Sequence, residues 1–256
     1  MTRAAAVLAA CLAAGALAGC GADPAPASSG TTPTAAAAPS PTVLTPAARR
    51  TTPATNAAEP PDTPEPQTAP PPRTAGPLTA RNVPPPGELG AGWTTYDDPG
   101  GSEAGFIGNG SWTRRRDAHQ AAFEALPIGC ANVLPATPMP VPRHALQATY
   151  RNQHRAPAQV LVLRFATPAQ ASSYLTGYLA RMSACGSGGN LSVLPMWRTT
   201  DAAASVRRYA GAETYAEVAV RRGATVGLLA TSTADPAAER AWTRTAATRL
   251  AARVDR

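Results

Sequence analysis

Alternating apolar and polar positions run through the second half of the chain. Residues 144–151 alternate strictly, and residues 159–165 form a nearly continuous apolar run. Alternation predicts a half-buried strand, and a continuous run of this length predicts a strand near the centre of a sheet. Residues 152–157 are then expected to join the two strands as a hairpin. Further strands are predicted at 93–96, 191–197, 204–209, 213–222 and 224–231.

Three segments instead show the apolar spacing of amphipathic helices. The first helix is predicted at about Arg115 to Leu126 and ends before a proline. The second has Thr167 as N-cap and Pro168 at its first helical position, and it runs to Cys185. The third starts at Asp235, which also precedes a proline. This order predicts an α+β domain with an antiparallel sheet and helices packed on it.

The N-terminus has a different pattern, with Arg3 followed by a short apolar run that closes on Leu17-Ala18-Gly19-Cys20. The run is shorter than the roughly 20 residues of a membrane-spanning helix, and a basic start before it is typical of an export signal. The last four residues resemble the lipobox of bacterial lipoproteins. The resemblance implies removal of residues 1–19 as a signal peptide and a lipid on Cys20. It would hold the protein at the outer face of the cytoplasmic membrane.

The next segment, residues 20–77, is predicted to be a disordered linker. Fifteen of the 28 prolines lie between Gly21 and Ala80, where there is no aromatic residue. Such a composition cannot bury enough apolar surface to offset the entropy of ordering the backbone. Residues 78–256 remain for one globular domain, which carries 19 arginines and 12 acidic residues. A basic domain is attracted to an anionic membrane or cell wall, whereas export makes nucleic acid an unexpected partner.

The four cysteines divide by position. Cys11 belongs to the signal and Cys20 to the lipid anchor, so that Cys130 and Cys185 remain in the exported domain. A disulfide between them is predicted, because disulfides persist outside the cytoplasm. It would close a loop of about 55 residues, which corresponds to about 4 kcal/mol of stabilisation. The alternative is a pair of free thiols in a metal or redox site.

The pattern of elements resembles the extracellular sensor domain of the mycobacterial PknH-type kinases, carried on envelope lipoproteins of actinobacteria. The resemblance rests on Pro127–Cys130, the strand 159–165, the helix that ends in Cys185, and the closing strand–strand–helix order of 213–254. It implies a twisted antiparallel sheet flanked by helices, with a cleft for an unknown ligand. Kinase sensors of this family commonly have a second disulfide, for which this chain has no cysteines. No kinase domain is found in the sequence, so sensing is expected to act through another protein.

Six polar residues on the later strands are the candidate ligand-binding residues. They are expected to share one face of the sheet: Arg164, Arg208, Glu213, Tyr215, Glu217 and Arg221. One interpretation is a solvated face on which opposite charges pair across strands. The other is a polar cleft against the loop 98–110, where an arginine meets a ligand carboxylate or phosphate. Trp112 and Trp197 are candidates for its rim.

No catalytic constellation or cofactor motif stands out in the sequence, and neither a cofactor nor a metal is predicted. The only arrangements that could suit a metal are His144 and His154 facing each other across the hairpin, and Asp97 and Asp98 in the early loop, which could hold Ca²⁺. We therefore expect a non-catalytic domain that binds an envelope ligand or a protein partner. Two alternatives stay open, a hydrolase or transferase acting on cell-wall polymers, and a lipid carrier, which requires a large apolar cavity.

Overall fold

The alternating segments form one antiparallel sheet in the computed structural model, which describes residues 68–97, 99–100, 107–127, 138–186, 191–235 and 237–256. Within these residues the sheet has eight strands: β1 Thr94–Thr95, β2 Thr113–Arg116, β3 His144–Arg151, β4 Pro157–Arg164, β5 Leu191–Arg198, β6 Ala202–Tyr209, β7 Thr214–Arg222 and β8 Thr225–Ser232. The predicted α+β class, an antiparallel sheet flanked by helices, is confirmed.

The sheet joins a hairpin to a four-stranded meander. Strands β5 to β8 follow one another in space as they do in sequence, and β8 then pairs with β4 of the β3–β4 hairpin. Both β1 and β2 pair with the outer edge of β3, at different positions along it. This order places β4, β8 and β7 in the middle of the sheet, where they are protected from water on both edges.

The helices are α1 Pro86–Leu89, α2 Ala118–Glu124, α3 Pro168–Cys185 and α4 Glu239–Ala251, with a short 3-10 turn at Ala80–Asn82. The predicted start of α3 is confirmed, because the Thr167 hydroxyl accepts a hydrogen bond of 3.2 Å from the backbone N–H of Gln170. Asp235 likewise accepts from the N–H of Ala237, at 3.0 Å, but α4 itself begins only at Glu239.

The first predicted helix is wrong at its N-terminal end. Arg115 and Arg116 belong to β2, where they pair with Leu146 and Ala145 of β3. The helix starts after Asp117, whose carboxylate accepts a 2.8 Å hydrogen bond from the backbone N–H of Gln120. An aspartate at the N-cap therefore separates a short strand from a short helix that the apolar spacing had merged.

Apolar side chains cover both faces of the sheet. On one, the α3 face, α2 and α3 pack over Ala145, Leu163 and Val226 of the sheet. On the other, the α4 face, α4 and residues 75–93 pack over a second cluster that includes Val160, Val218 and Leu229. The sheet is thus the middle of three layers, and few of its side chains face open solvent.

The segment before residue 78 already contributes to the domain. The backbone N–H of Arg115 donates to the carbonyl of Pro72 at 2.7 Å, and the Thr113 hydroxyl donates to that of Arg73 at 3.0 Å. Ala75 and Leu78 are fully buried and bonded to each other through their backbones. Among the described helices none is long and apolar enough to cross a membrane. The signal sequence, Cys20 and Cys130 lie outside the described residues.

Candidate functional site

A polar cleft opens on the α3 face because small side chains leave space between the sheet and α2. Gln159 of β4, Ala230 of β8 and Glu217 of β7 are direct neighbours in one row across the sheet. The half-buried Ala230 forms the floor between the two longer side chains, and Ala121 and Ala125 face it from the helix side. The resulting cavity has a volume of about 110 Å³.

A buried ion pair forms the inner wall of this cleft. The Arg207 Nε lies 2.9 Å from the Glu217 Oε1, and the two side chains are 9% and 10% exposed. An Arg207 Nη also donates to the backbone carbonyl of Ala125 at 3.2 Å, which ties β6 to the end of α2. The second carboxylate oxygen of Glu217, Oε2, is buried and has no hydrogen-bond partner among the described residues.

Burial sets the electrostatics of this pair. It raises the pKa of Glu217 above its ordinary value, although the neighbouring Arg207 acts in the opposite direction. Burial alone would lower the pKa of Arg207, but the charge of Glu217, together with Tyr178 and Tyr209, raises it. Burial also raises the pKa of Tyr178, and Glu217 adds to that effect. Tyr178 therefore presents a neutral phenol to the cleft.

A chain of hydrogen bonds forms the outer wall. One Arg116 Nη donates to Gln147 Oε1 and the other pairs with Glu124 Oε2, each at 2.5 Å. Gln147 in turn donates through Nε2 to Gln159 Oε1 at 3.3 Å. The guanidinium of Arg116 is thus already engaged, while the Nε2 of Gln159 has no bonded partner in the described part of the chain.

A second, smaller cavity adjoins the first. It has a volume of about 50 Å³ and shares Glu217 and Tyr178 with the larger one. Its remaining wall is mainly apolar and includes Leu179, Met182 and Trp197. A space of this size holds one or a few water molecules. Neither of the two cavities found in the described residues is the large apolar cavity that a lipid carrier requires.

Two of the predicted ligand-binding residues lie together on the α3 face. Glu217 lines the cleft, and Tyr215 precedes it by two positions on β7, opposite Arg207 in the register. The Tyr215 hydroxyl donates to the carboxylate of Glu213, and this hydrogen bond, with partial burial, raises the pKa of Tyr215 to about 12. Glu213 itself is exposed in the turn before the strand.

The other three predicted residues are elsewhere, so the expectation of one shared face is wrong. Arg221 lies near the far end of β7 and pairs with Asp201. Arg164 and Arg208 fall on the α4 face, at opposite ends of the sheet, where Arg164 donates to the Thr225 hydroxyl at 3.2 Å and Arg208 is exposed. The strand register separates Arg164 and Arg208 from Glu217, because successive residues of a strand point to opposite faces, whereas Arg221 is on the same face as Glu217 but four positions further along β7.

The interpretation of a solvated sheet face is also wrong, since α2 and α3 cover it and Glu217 is buried. The wall opposite the sheet is formed by these helices. Asp98 and residues 101–106 of the loop that was expected there lie outside the described residues. His144 and His154 are at opposite ends of the β3–β4 hairpin and do not face each other.

The two tryptophans proposed for the rim have different positions. Trp197 lines the smaller cavity, and its indole N–H donates to the Thr243 hydroxyl at 2.9 Å. Trp112 lies on the opposite side of the sheet, where its ring packs edge-on against Tyr150 with centroids 5.5 Å apart. Trp197 is therefore next to the site and Trp112 belongs to the core.

Six polar residues of the cleft were not among the predicted ones: Arg116, Glu124, Gln147, Gln159, Tyr178 and Arg207. Gln159 is the polar position of an otherwise apolar face of β4, which is a signal the sequence does carry, whereas Gln147 shares its face of β3 with Thr149 and Arg151. Arg207 adjoins the predicted Arg208, and the choice between them depends on the register of β6 against β7. Arg116 was not recognised as a cleft residue because the first helix was predicted to begin at about Arg115, whereas Arg116 belongs to β2.

Comparison with solved structures finds a likeness of fold. The chain is similar to the extracellular domain of PknH from Mycobacterium tuberculosis, with a TM-score of 0.43 and 8% identity, over 68% of this chain and 93% of that one. A likeness at this level carries no conclusion about function. No protein-family model matches the chain. No curated protein matches it either.

Proposed function

We propose that the chain is a membrane-anchored extracytoplasmic lipoprotein whose domain binds a ligand, without catalysis, in the cleft between the sheet and α2. The segment Leu17–Cys20 supports the anchor, since it resembles a lipobox at the end of a short apolar run. Lipid on Cys20 would hold the protein at the outer face of the cytoplasmic membrane. A linker of the predicted length spans about 45 Å as a flexible coil and lifts the domain away from the lipid.

One observation carries the assignment of binding, namely the buried Oε2 of Glu217, which has no hydrogen-bond partner among the described residues and belongs to a side chain that lines the cleft. A buried acceptor without a partner costs about 1–3 kcal/mol, and more when it is charged. Such a group is rare in native structures and calls for a specific explanation. The missing hydrogen bond destabilises the folded protein when no ligand is bound. A ligand that donates a hydrogen bond to this oxygen removes that cost, and the difference contributes to the free energy of binding.

Binding fits this site better than the two alternatives. Both carboxylates of the cleft are held by arginines, Glu124 by Arg116 and Glu217 by Arg207. Pairing of this kind orients and neutralises the groups, as a binding site requires, and Arg207 opposes the rise in the pKa of Glu217 that a proton-transferring carboxyl group would need. The small size of the cavities argues against a lipid carrier.

The test is to identify what co-purifies with the lipidated full chain. The protein is extracted in mild detergent, and bound small molecules are released and identified by mass spectrometry. Ala230→Leu fills the floor of the cleft, and Ala241→Leu makes the same change on the exposed side of α4 as a matched control. We expect a compound that accompanies the parent and the Ala241→Leu protein but not the Ala230→Leu protein. Identical extracts from all three proteins would contradict binding in the cleft.

A further inference from the structure

We propose that the cleft recognises an uncharged, polyhydroxylated group, such as a sugar ring or a polyol, through a hydroxyl that donates to Glu217 and accepts from Gln159. The inference rests on the proposed function and specifies the chemistry of its ligand. It follows from three properties of the site: its charge balance, its free hydrogen-bonding groups and its apolar wall.

The charges of the cleft are balanced internally. Its two arginines and two glutamates form two ion pairs, Arg116 with Glu124 and Arg207 with Glu217. The remaining donors of these guanidiniums are partly used as well, by Gln147 and by the carbonyl of Ala125. A carboxylate or phosphate ligand would have to displace an existing partner and bring an uncompensated charge into a confined space. The expectation of an acidic ligand is therefore not the one that the geometry favours.

Two hydrogen-bonding groups of the cleft have no partner in the described part of the protein, and a ligand that satisfies both must supply one donor and one acceptor. Within the described residues the buried Glu217 Oε2 lacks a donor, and the Nε2 of the exposed Gln159 is bonded to no protein acceptor and is available to a ligand. A hydroxyl is both donor and acceptor, so one such group, or two on neighbouring carbons, satisfies the pair. The two residues are two strands apart, which sets their Cα atoms at about 10 Å. Ala230 between them leaves that distance open for a ring-sized group.

The remaining wall is apolar and fits the carbon skeleton of a polyol. Leu161 and Leu228 lie on the same sheet face, and the buried Tyr178 adds an aromatic ring from α3. A pocket with a few placed polar groups on a mainly apolar wall is the usual design of a small-molecule site. A sugar ring presents C–H groups on its faces and hydroxyls around its edge. That distribution matches a wall of this kind next to Glu217 and Gln159.

Saturation-transfer NMR on the full lipidated chain in detergent tests the proposal, because it detects binding as weak as millimolar. The neutral probes are D-glucose, D-galactose, D-mannose and N-acetyl-D-glucosamine. The charged probes are D-glucuronate, D-glucosamine and D-glucose 6-phosphate. We expect transfer to at least one neutral sugar, its loss in Ala230→Leu and its retention in Ala241→Leu. For the same sugar, Glu217→Gln should weaken binding about tenfold, because a charge-assisted hydrogen bond becomes a neutral one.

The outcomes separate this inference from the proposed function. If only charged probes bind, and Ala230→Leu abolishes their binding, the cleft is a ligand site but the polyhydroxyl assignment is overturned. If neutral sugars bind equally to the parent and to Ala230→Leu, the site is elsewhere and the inference fails. Absence of transfer to all neutral probes overturns it as well. Gln159→Leu gives an independent test at an exposed strand position, should Ala230→Leu fail to fold, and should also weaken sugar binding.

Discussion

Arg207 allows a carboxylate to remain buried in the middle of the sheet. Its guanidinium lies against Glu217 where water has little access, so the pair gains Coulomb energy but also bears the desolvation of two ions. Removing one partner is therefore expected to lower the free energy of unfolding by much more than the intact pair contributes to it. This asymmetry leads to a prediction that distinguishes the buried pair from those at the surface.

Replacing Arg207 alone should be strongly destabilising. Arg207→Met leaves Glu217 buried without its guanidinium, and we expect a loss of about 3–5 kcal/mol in the free energy of unfolding at neutral pH. The double variant Arg207→Met/Glu217→Leu removes both charges and should recover at least half of that loss. Urea unfolding of the three proteins measures the cycle. Arg221→Ala, which breaks the more exposed pair with Asp201, is the matched control and should cost about 0–1 kcal/mol.

Glu217 should also give the protein a distinctive pH dependence. The pKa of Glu217 is raised in the folded state. At a pH between its pKa in the unfolded protein and its pKa in the folded protein, the folded protein therefore binds the proton more tightly than the unfolded protein does. The contribution of Glu217 to stability is then fully present below the ordinary value of 4.5 and is lost as the pH rises through the raised value. We expect the stability of the parent, relative to Glu217→Gln, to fall as the pH rises above the ordinary carboxyl value of 4.5.

The comparison with Glu217→Gln isolates this group. Glu88, whose pKa is lowered by its hydrogen bond to Arg253, gives the opposite trend, but it does so equally in both proteins. Urea unfolding at a series of pH values supplies the difference. A difference that stays constant, or that rises with pH, would contradict the raised pKa.

At the residue scale, sequence reasoning reached Glu217 but not its partner. The alternation along β7 correctly separated Glu217 from Val218, because each strand's period is a local property. The choice of Arg207 over Arg208 depends on how β6 aligns with β7, and a shift by one residue exchanges the two faces. Such a register is set by long-range packing, which two adjacent arginines do not reveal.

At the scale of elements, the contact between β8 and α4 depends on a glycine. A Cβ on Gly227 would lie 2.7 Å from Val254 Cγ1 and 3.1 Å from Leu250 Cγ. Both side chains are fully buried, so neither can turn away freely. Gly227 thus lets the C-terminal part of α4 approach the centre of the sheet.

Gly227→Ala should therefore destabilise the protein by about 1–3 kcal/mol through overpacking, as measured by thermal or urea unfolding. Gly87→Ala is the control, because a Cβ there meets no atom within 4 Å and the residue lies in α1. That change should be neutral or slightly stabilising. Val254→Ala should cost less in the Gly227→Ala protein than in the parent, since it removes the contacted methyl. Equal costs in both backgrounds would mean that α4 is not held by this contact.

The predicted disulfide belongs to the same scale, because it would fix the end of α3. Cys185 is the last residue of α3, and Cys130 lies outside the described residues, so the pairing stays a prediction. Unfolded but unreduced protein should not react with a thiol-alkylating reagent, as intact mass shows. Reduction should remove about 4 kcal/mol of stability on the chain-entropy estimate. Two alkylated cysteines before reduction would refute the bond.

Elements were more predictable than their arrangement. The limits of β3 and the N-cap of α3 follow from local signals, namely strict alternation and a Thr-Pro start, and the structure confirms them. The covering of both sheet faces was not foreseen. It depends on α2 and α3 packing over the α3 face, where the cleft lies. Ala121 and Ala125, which face the cleft from α2, are indistinguishable in sequence from the many other alanines.

At the scale of the whole molecule, the proposed anchor and the domain are separate parts. The domain begins to pack at about Pro71, whose carbonyl accepts a 3.0 Å hydrogen bond from Asn109 Nδ2. The described residues from this point onward form a folded body that its own three layers stabilise. The proposed attachment to the membrane through Cys20, in the sequence before it, stays a prediction.

Cys20→Ala should release the mature domain from the membrane or leave it as an uncleaved precursor of higher mass. Without the thiol there is no atom to carry the lipid, and no described helix is apolar and long enough to replace it. Cys11→Ala, within the same apolar run, is the matched control and should leave processing and membrane attachment unchanged. Fractionation and intact mass of the three proteins provide the measurement. A membrane-bound Cys20→Ala protein with the mass of the unlipidated mature chain would show that another part of the molecule holds it there.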